Sequence, residues 1–184
     1  MRIIAGTHRG TALVPVGEGD VNAHLRPTSD RVRESLFNVL QGGRFGDPVR
    51  GGRVLDLFAG TGALGLEALS RGASHATFVD DGAVAQKLIA GNIVKLRRGP
   101  DCTVLRCKAD MIPPGEACGL VFLDPPYGLN LGLPALRAAR AAGWIIPGTV
   151  IVWEERTAQI APQGFRAGDS RRYGDTWITV MEAI

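Results

Sequence analysis

A chain of 184 residues can bury a substantial core and still be a single domain. Hydrophobic residues make up 45% and charged residues 21%, the balance of a soluble globule, and no apolar run approaches the roughly 18 residues of a membrane span. The net charge of +3 sits at one end: residues 1–53 hold eight arginines against five acids, so the rest is neutral and any anionic partner is expected at the N-terminal end.

Met1-Arg-Ile-Ile gives way at once to Gly, Thr, His and Arg, which is not a basic-then-apolar leader, so a cytoplasmic protein is expected. Cys102, Cys107 and Cys118 are odd in number and form no C-x-x-C pair, and the three histidines are scattered, so no metal site is expected.

Arg2-Ile-Ile-Ala-Gly and Thr11-Ala-Leu-Val-Pro read as short strands joined through "THRG" into a hairpin. A Gly-rich stretch, "VGEGDVNAH", follows without periodicity. "RPTSDRVRESLFNVL" reads as a helix. Thr28 or Ser29 suits its N-cap, Asp30 suits its positive end, and Val32, Leu36, Val39 and Leu40 recur at helical spacing. From Arg53 strands and helices alternate: "RVLDLF", a helix over 63–71, "HATFVD", a helix over 83–96, "CTVLRCKA", "GLVFLD", a helix over 131–142, and "GTVIVWEE". Short apolar runs interleaved with helices indicate a parallel sheet covered on both faces. "FRAGDSRRY" and "TWITVMEA", joined by Gly174-Asp175, read as an antiparallel hairpin. The expected architecture is α/β and Rossmann-like. A small hairpin-and-helix extension (1–52) precedes a core (53–184), the two forming one compact domain.

"VLDLFAGTGALGLEAL" places Gly60-x-Gly62-x-x-Gly65 between a strand and a helix, with Asp80 ending the next strand 20 residues beyond Gly60. The spacing fits a dinucleotide site, in which glycines let backbone approach a ligand and an acid holds a ribose. Asp56 separates the options. A pyrophosphate would meet its negative charge in a poorly solvated cleft, whereas the ammonium and sulfonium of S-adenosylmethionine would be attracted, directly or through water. The cofactor set is therefore Asp56, Phe58, Ala59, Gly60 and Gly62, with Asp80 or Asp81 for the ribose and Asp110 within reach of the adenine amino group. Capping or turn roles remain the alternatives for the acids.

"FLDPPYGLN" ends an apolar run in a carboxylate, two prolines and an aromatic ring. In a doubly wound sheet the carboxyl ends of the strands form the ligand crevice, so Asp124 opens onto the same edge as Asp56 and Asp80. Pro125 and Pro126 stiffen the loop. The Asp124 carboxylate and the Pro125 carbonyl are placed to hold the two hydrogens of an exocyclic amino group, aiming its nitrogen at a methyl donor. Tyr127 offers a stacking face worth about 1–3 kcal/mol, comparable to the few kcal/mol of unstacking a base. A plain proline turn is the alternative. None of the cysteines follows a proline, which disfavours a cysteine-nucleophile mechanism on pyrimidines.

With these residues the chain resembles the bacterial 16S ribosomal RNA guanine-N2 methyltransferases, the RsmD family. "RIIAGTHRG" and "RPTSDRVRESLFNVL" look like its N-terminal signatures, "DLFAGTGALGLEALSRGA" like its cofactor loop and "DPPY" like its catalytic motif. The resemblance implies a class I methyltransferase fold, S-adenosylmethionine as methyl donor, and a guanine of 16S rRNA in an assembling small subunit as target; a monomer is the default for a chain of this size. It puts Thr28 and Arg31 near the cofactor's methionine end. The family usually has Glu where Asp80 stands, and "PVGEGDVNAHL" is longer than its counterpart. Arg2, Arg9, Arg26 and Arg33 are the candidates for phosphate contacts. Three rival readings stay open: an adenine-N6 methyltransferase, an NAD-dependent oxidoreductase, and a non-catalytic RNA-binding assembly factor.

Overall fold

The computed structural model describes residues 1–16 and 29–184. Its centre is a seven-stranded sheet: β1 (Arg53–Leu57), β2 (His75–Val79), β3 (Cys102–Leu105), β4 (Leu120–Leu123), β5 (Val150–Glu155), β6 (Phe165–Tyr173) and β7 (Thr176–Ala183). The order is β3-β2-β1-β4-β5-β7-β6, parallel from β3 to β5 and antiparallel through β7 and β6. The helices are α1 (Asp30–Gln41), α2 (Ala63–Ser70), α3 (Ala83–Leu96) and α4 (Gly132–Ala141). None of the helices among the described residues is long and apolar enough to cross a membrane.

Alternation along the strands sorts the core into two layers. Val54, Phe78, Phe122, Val152 and Val180 pack with α1, α2 and α3 on one face. Leu55, Val79, Val121, Ile151 and Met181 pack with α4, Trp144 and Trp153 on the other. The expected sheet covered on both faces is thus what forms. Leu36, Phe37 and Leu40 of α1 belong to the same apolar cluster as Ile3 and Val54, so the N-terminal segment shares the main core. Phe37 meets Phe122 of β4 with ring centroids 5.7 Å apart. Burying each of these rings contributes about 1.5–3 kcal/mol.

Local chemistry sets the element ends. Ser29 caps α1 by accepting the Val32 amide, 3.3 Å away, and Asp30 lies in the first turn. The β6–β7 turn is the two-residue Gly174-Asp175 loop, with Gly174 at φ 62°. β3 stops at Leu105 rather than running on through "RCKA", because it is an edge strand whose only partner, β2, ends at Val79.

The two N-terminal strands expected of the sequence shrink to a single antiparallel bridge, Arg2 with Ala12. The hairpin survives, with the Ile3 amide donating to Thr11 and the Gly10 amide to Ile3. Its extension into a ladder is prevented because the next donors are taken by side chains. The amides of Ile4 and Ala5 donate to the two oxygens of Glu67 at 2.8 and 3.0 Å, and that of Val14 donates to Asn92 at 2.7 Å.

Glu67, in α2, is fully buried. Besides those two amides it accepts from Arg71 Nε at 2.7 Å and faces Arg33 Nη1 at 4.0 Å. Removing the carboxylate would leave Arg71 without its counter-charge in the core and Arg33 with Asp30 alone. Glu67→Ala is therefore expected to lower the unfolding free energy by about 3–5 kcal/mol in urea titrations. Amide exchange at Ile4 and Ala5 should accelerate more than in β1; unchanged protection at both amides would show that Glu67 does not hold the N-terminal segment.

Candidate active site

Four adjacent strands, β2, β1, β4 and β5, run parallel and reach one edge of the sheet together. At or just beyond their carboxyl ends stand Asp80, Asp56, Asp124 and Glu154. Strand register dictates this row: Asp124 follows Leu123, which pairs with Leu57 and Trp153, so Asp124 adjoins Glu154.

The glycine loop folds over the end of β1. Phe58, Gly60 and Gly62 have φ of 60°, 57° and 76°, so three residues within five adopt the left-handed region, and Phe58 does so with a bulky side chain. The loop is braced from three sides. Gly60 donates its amide to Asp80 Oδ2 at 2.9 Å, Thr61 accepts from Asn92 Nδ2 at 2.9 Å, and Gly65 donates to Asp56 Oδ2 at 2.9 Å. Gly65 is where α2 meets β2 closely: a Cβ there would lie 2.4 Å from the Phe78 ring. Ala59 and Gly60 are buried and Phe58 is partly so.

Two expected ligand acids thus have structural duties. Asp56 is only 1% exposed and satisfies the first turn of α2. Asp80 spends its other oxygen on the Gly82 amide at 2.8 Å, so both of its oxygens secure backbone at the ends of β2 and the loop. Asp81, beside it, is exposed. Asp110 is also exposed, in a 3-10 turn (Ala109–Met111) beyond β3.

The carboxylates strain one another electrostatically. Burial pushes Asp56 up to about 8 against the opposing pull of the Gly65 amide, and the Asp80 charge adds to the rise. Burial also raises Asp80, against the amides of Gly60 and Gly82. Asp124 is held well above the usual carboxylate range, first by burial and then by Glu154, Asp56 and Glu155. A row of acids this reluctant to ionise suits a cationic ligand or a set of hydrogen-bond donors. Burial also raises the thiols, Cys102 to about 12 and Cys118 to about 11, so neither is a thiolate at neutral pH.

Pro125 is buried, Pro126 and Tyr127 partly so. Tyr127 donates its hydroxyl to Glu154 Oε1 at 2.7 Å and lies 3.0 Å from Thr176 Oγ1. The Arg156 guanidinium lies over its ring, 5.8 Å from the centroid. The ring expected to stack on a base is therefore pinned at its hydroxyl and shared with a cation. Glu154, Arg156 and Thr176 were not singled out in the sequence. The signal for Glu154 was present, since "GTVIVWEE" ends in acids as the neighbouring strands do. Nothing local marks Thr176, which arrives through the hairpin.

Four of the expected RNA and cofactor arginines lie among the described residues. Arg33 is fully buried, donating Nη2 to the Arg2 carbonyl at 2.7 Å and to Asp30 at 2.8 Å. It is a core residue whose guanidinium is closed to a phosphate, contrary to expectation, because α1 turns its buried face through position 33. Arg9 is exposed, but its hairpin docks on the last turn of α2, where the Thr7 amide donates to Ser70. The glycine loop is at the opposite end of that helix, roughly 12 Å away. Arg2 is exposed and 3.3 Å from Asp30. Arg31, expected near the cofactor's methionine end, lines a groove with Arg44 and Arg171. Thr28, Arg26 and most of the "PVGEGDVNAHL" loop lie outside the described residues.

Known proteins match this arrangement. The family model described as Conserved hypothetical protein 95 matches residues 1–182. Ribosomal RNA small subunit methyltransferase D of Escherichia coli K12 is 39% identical over 166 residues, spanning 88% of this chain and 78% of that protein. The Escherichia coli protein yhhF superposes with a TM-score of 0.84 at 31% identity, covering 100% of this chain and 97% of that one. The ribosomal protein L11 methylase of Lactobacillus delbrueckii superposes with a TM-score of 0.62 at 12% identity, over 80% of this chain and 78% of that one, a likeness of fold alone. The sheet is that of a class I methyltransferase.

The raised proton affinity of Asp56 has a measurable sign. Its folded value of about 8 lies above the 3.8 of an unperturbed carboxyl, so the folded chain binds the extra proton between these values. Stability from this group is present at low pH and is lost as pH rises towards 8. Asp56→Asn keeps an oxygen for the Gly65 amide and removes the ionisation. The melting temperature of the ligand-free variant, relative to wild type, should climb from pH 5 to 8 and level off above; a constant offset would mean Asp56 ionises normally.

Proposed function

Because the chain belongs to the RsmD family, the Conserved hypothetical protein 95 family, we propose that it methylates small-subunit ribosomal RNA, on the N2 amino group of a guanine, with S-adenosylmethionine. The observation that carries the reading is the juxtaposition of Asp124, at the head of a stiff Pro-Pro loop, with the braced glycine loop on the same sheet edge.

The site's residues fit the methyl donor: an ammonium and a sulfonium favour the ionised forms of Asp56 and Asp124 that burial and mutual repulsion otherwise resist, whereas a pyrophosphate would add to that repulsion. S-adenosylmethionine supplies, when bound, an electrophilic sulfonium methyl. The braced glycine loop receives it, with Asp80 or Asp81 towards the ribose and Asp110 towards the adenine. Asp124 and the Pro125 carbonyl accept the two amino hydrogens and orient the nitrogen lone pair. As positive charge grows on that nitrogen Asp124 stabilises it, and its high proton affinity suits it to take the surplus proton.

The guanine assignment draws support from Glu154. Guanine presents donors at both N1 and N2, whereas adenine presents an acceptor at N1. A carboxylate next to Asp124 therefore favours guanine and leaves adenine with an acceptor facing an acceptor. The NAD reading leaves Asp-Pro-Pro-Tyr without a role. The substrate is an assembling subunit and the enzyme acts as a monomer.

The direct test gives radiolabelled S-adenosylmethionine to small-subunit particles from cells lacking the enzyme, followed by nucleoside analysis. Label is expected in N2-methylguanosine, with Asp124→Ala reducing it by about 10²–10³-fold. Label in N6-methyladenosine would overturn the guanine assignment, and tight cofactor binding with no transfer to any RNA would point to a binding factor. A second measurement addresses the acids alone. Titration calorimetry of S-adenosylmethionine at pH 7.5, in two buffers of different ionisation enthalpy, should show net proton release that shrinks in Asp56→Asn; uptake would contradict the assigned charge states.

A further inference from the structure

α1 and the β6–β7 hairpin enclose a groove of about 500 Å³ lined by Arg31, Glu34, Ser35 and Asn38 on the helix, by Arg44 beyond it, and by Arg171 on β6. Its charged lining is three arginines against one glutamate. The side chains of Arg44 and Arg171 are 60% and 51% exposed. Both approach Asp169, at 3.8 and 2.8 Å, which sets their spacing while leaving the guanidinium surfaces to solvent.

A chain of contacts joins the groove's wall to the active site. Ser35 Oγ, on the helical wall, lies 2.7 Å from the Tyr173 hydroxyl. Tyr173 pairs with Thr176 across the hairpin turn, and Thr176 Oγ1 lies 3.0 Å from the Tyr127 hydroxyl. The helical wall of the groove runs along α1 from Arg31 to Gly42, roughly 16 Å, with Ser35 within it.

We propose that this groove carries the single-stranded RNA flanking the target nucleotide, with Arg44 and Arg171 on its phosphates. The proposal rests on the RNA substrate proposed above and adds the path by which the strand leaves the clamp. An extruded base remains attached to its neighbours, so their phosphates must cross whichever surface adjoins Tyr127. Guanidinium groups suit phosphate oxygens by their planar fork, and the hydroxyl and amide of Ser35 and Asn38 supply neutral partners for sugar and base edges. The lining is too polar for an apolar helix to dock. Arg44 is one of the eight arginines of the basic N-terminal end, whereas Arg171 comes from the other side of the catalytic core in sequence.

The test compares Arg44→Ala/Arg171→Ala with Lys87→Ala/Lys95→Ala, which removes equal charge from exposed positions on α3. Binding of a fluorescein-labelled single-stranded 20-nucleotide RNA is followed by anisotropy at several salt concentrations, and methylation of small-subunit particles is measured alongside. The groove variant is expected to lose about tenfold in RNA affinity. Its slope of log affinity against log salt should fall by about 1.4, for two phosphates of a single strand. S-adenosylmethionine affinity and melting temperature should match wild type. Equal losses in both variants, or none in either, would overturn the groove. A groove-dependent loss of polyglutamate binding with RNA binding intact would overturn it in favour of an acidic protein partner. Groove-dependent RNA binding by a wild type that methylates no RNA would sustain the groove and sink the catalytic reading instead.

Discussion

The constraint on which this protein turns is a row of carboxylates at one edge of a parallel sheet. Parallel pairing brings all the carboxyl ends of β2, β1, β4 and β5 to the same side, and each carries an acid there. Desolvation and mutual repulsion make the row costly, and three of its members are tied to neighbours. Asp56 is tied to the first turn of α2, Asp80 to the glycine loop, and Glu154 to the Tyr127 hydroxyl. The same ties shape the site. The loop takes its left-handed path because its amides are claimed by acids on two strands, and Tyr127 stands where its hydroxyl finds Glu154. Electrostatic tension and geometry therefore have one source.

A second buried acid does the corresponding work away from the crevice. Glu67 gathers the N-terminal segment, α1 and α2 by accepting two amides and facing two arginines. The N-terminal hairpin is consequently held by a side chain instead of a strand ladder, and its turn rests on the far end of α2. The arginines that look alike in the sequence part company here. Arg33 is turned inward towards Glu67, Arg2 is paired at the surface, and Arg31 faces the groove.

What was legible in the sequence was whatever depends on local periodicity. The alternating strands and helices, the capping Ser29, and the Gly174-Asp175 turn follow from patterns within a few residues of one another. The placement of Asp56, Asp80 and Asp124 on one edge followed as well, since parallel topology admits no other arrangement. The illegible part is set by contacts distant in sequence. Ile4 and Ala5 look like strand residues until Glu67, more than sixty positions on, takes their amides. Thr176 acquires meaning only when the hairpin folds back to Tyr127, and Arg44 meets Arg171 only across a groove. The side chain of Arg33 could not be assigned from helical spacing, because a paired arginine can occupy a core position that composition reserves for apolar residues.

Rigid attachment of the groove to the crevice follows from the same contacts. Leu36, Phe37 and Leu40 anchor α1 in the core against Phe122, the residue two before Asp124. Ser35, on the adjoining face of that helix, reaches Tyr173, while the far side of the hairpin turn reaches Tyr127. A strand lying along α1 would thus be positioned by the helix that also supports β4, so the distance from phosphate contact to clamp is set by packed elements and not by a loop. An amino group must meet its methyl donor within a few tenths of an ångström, and a misplacement of about 1 Å costs on the order of 10²-fold in rate. Placing the contacts for the flanking strand on α1 and the hairpin lets binding energy from outside the target base act at the reacting nitrogen.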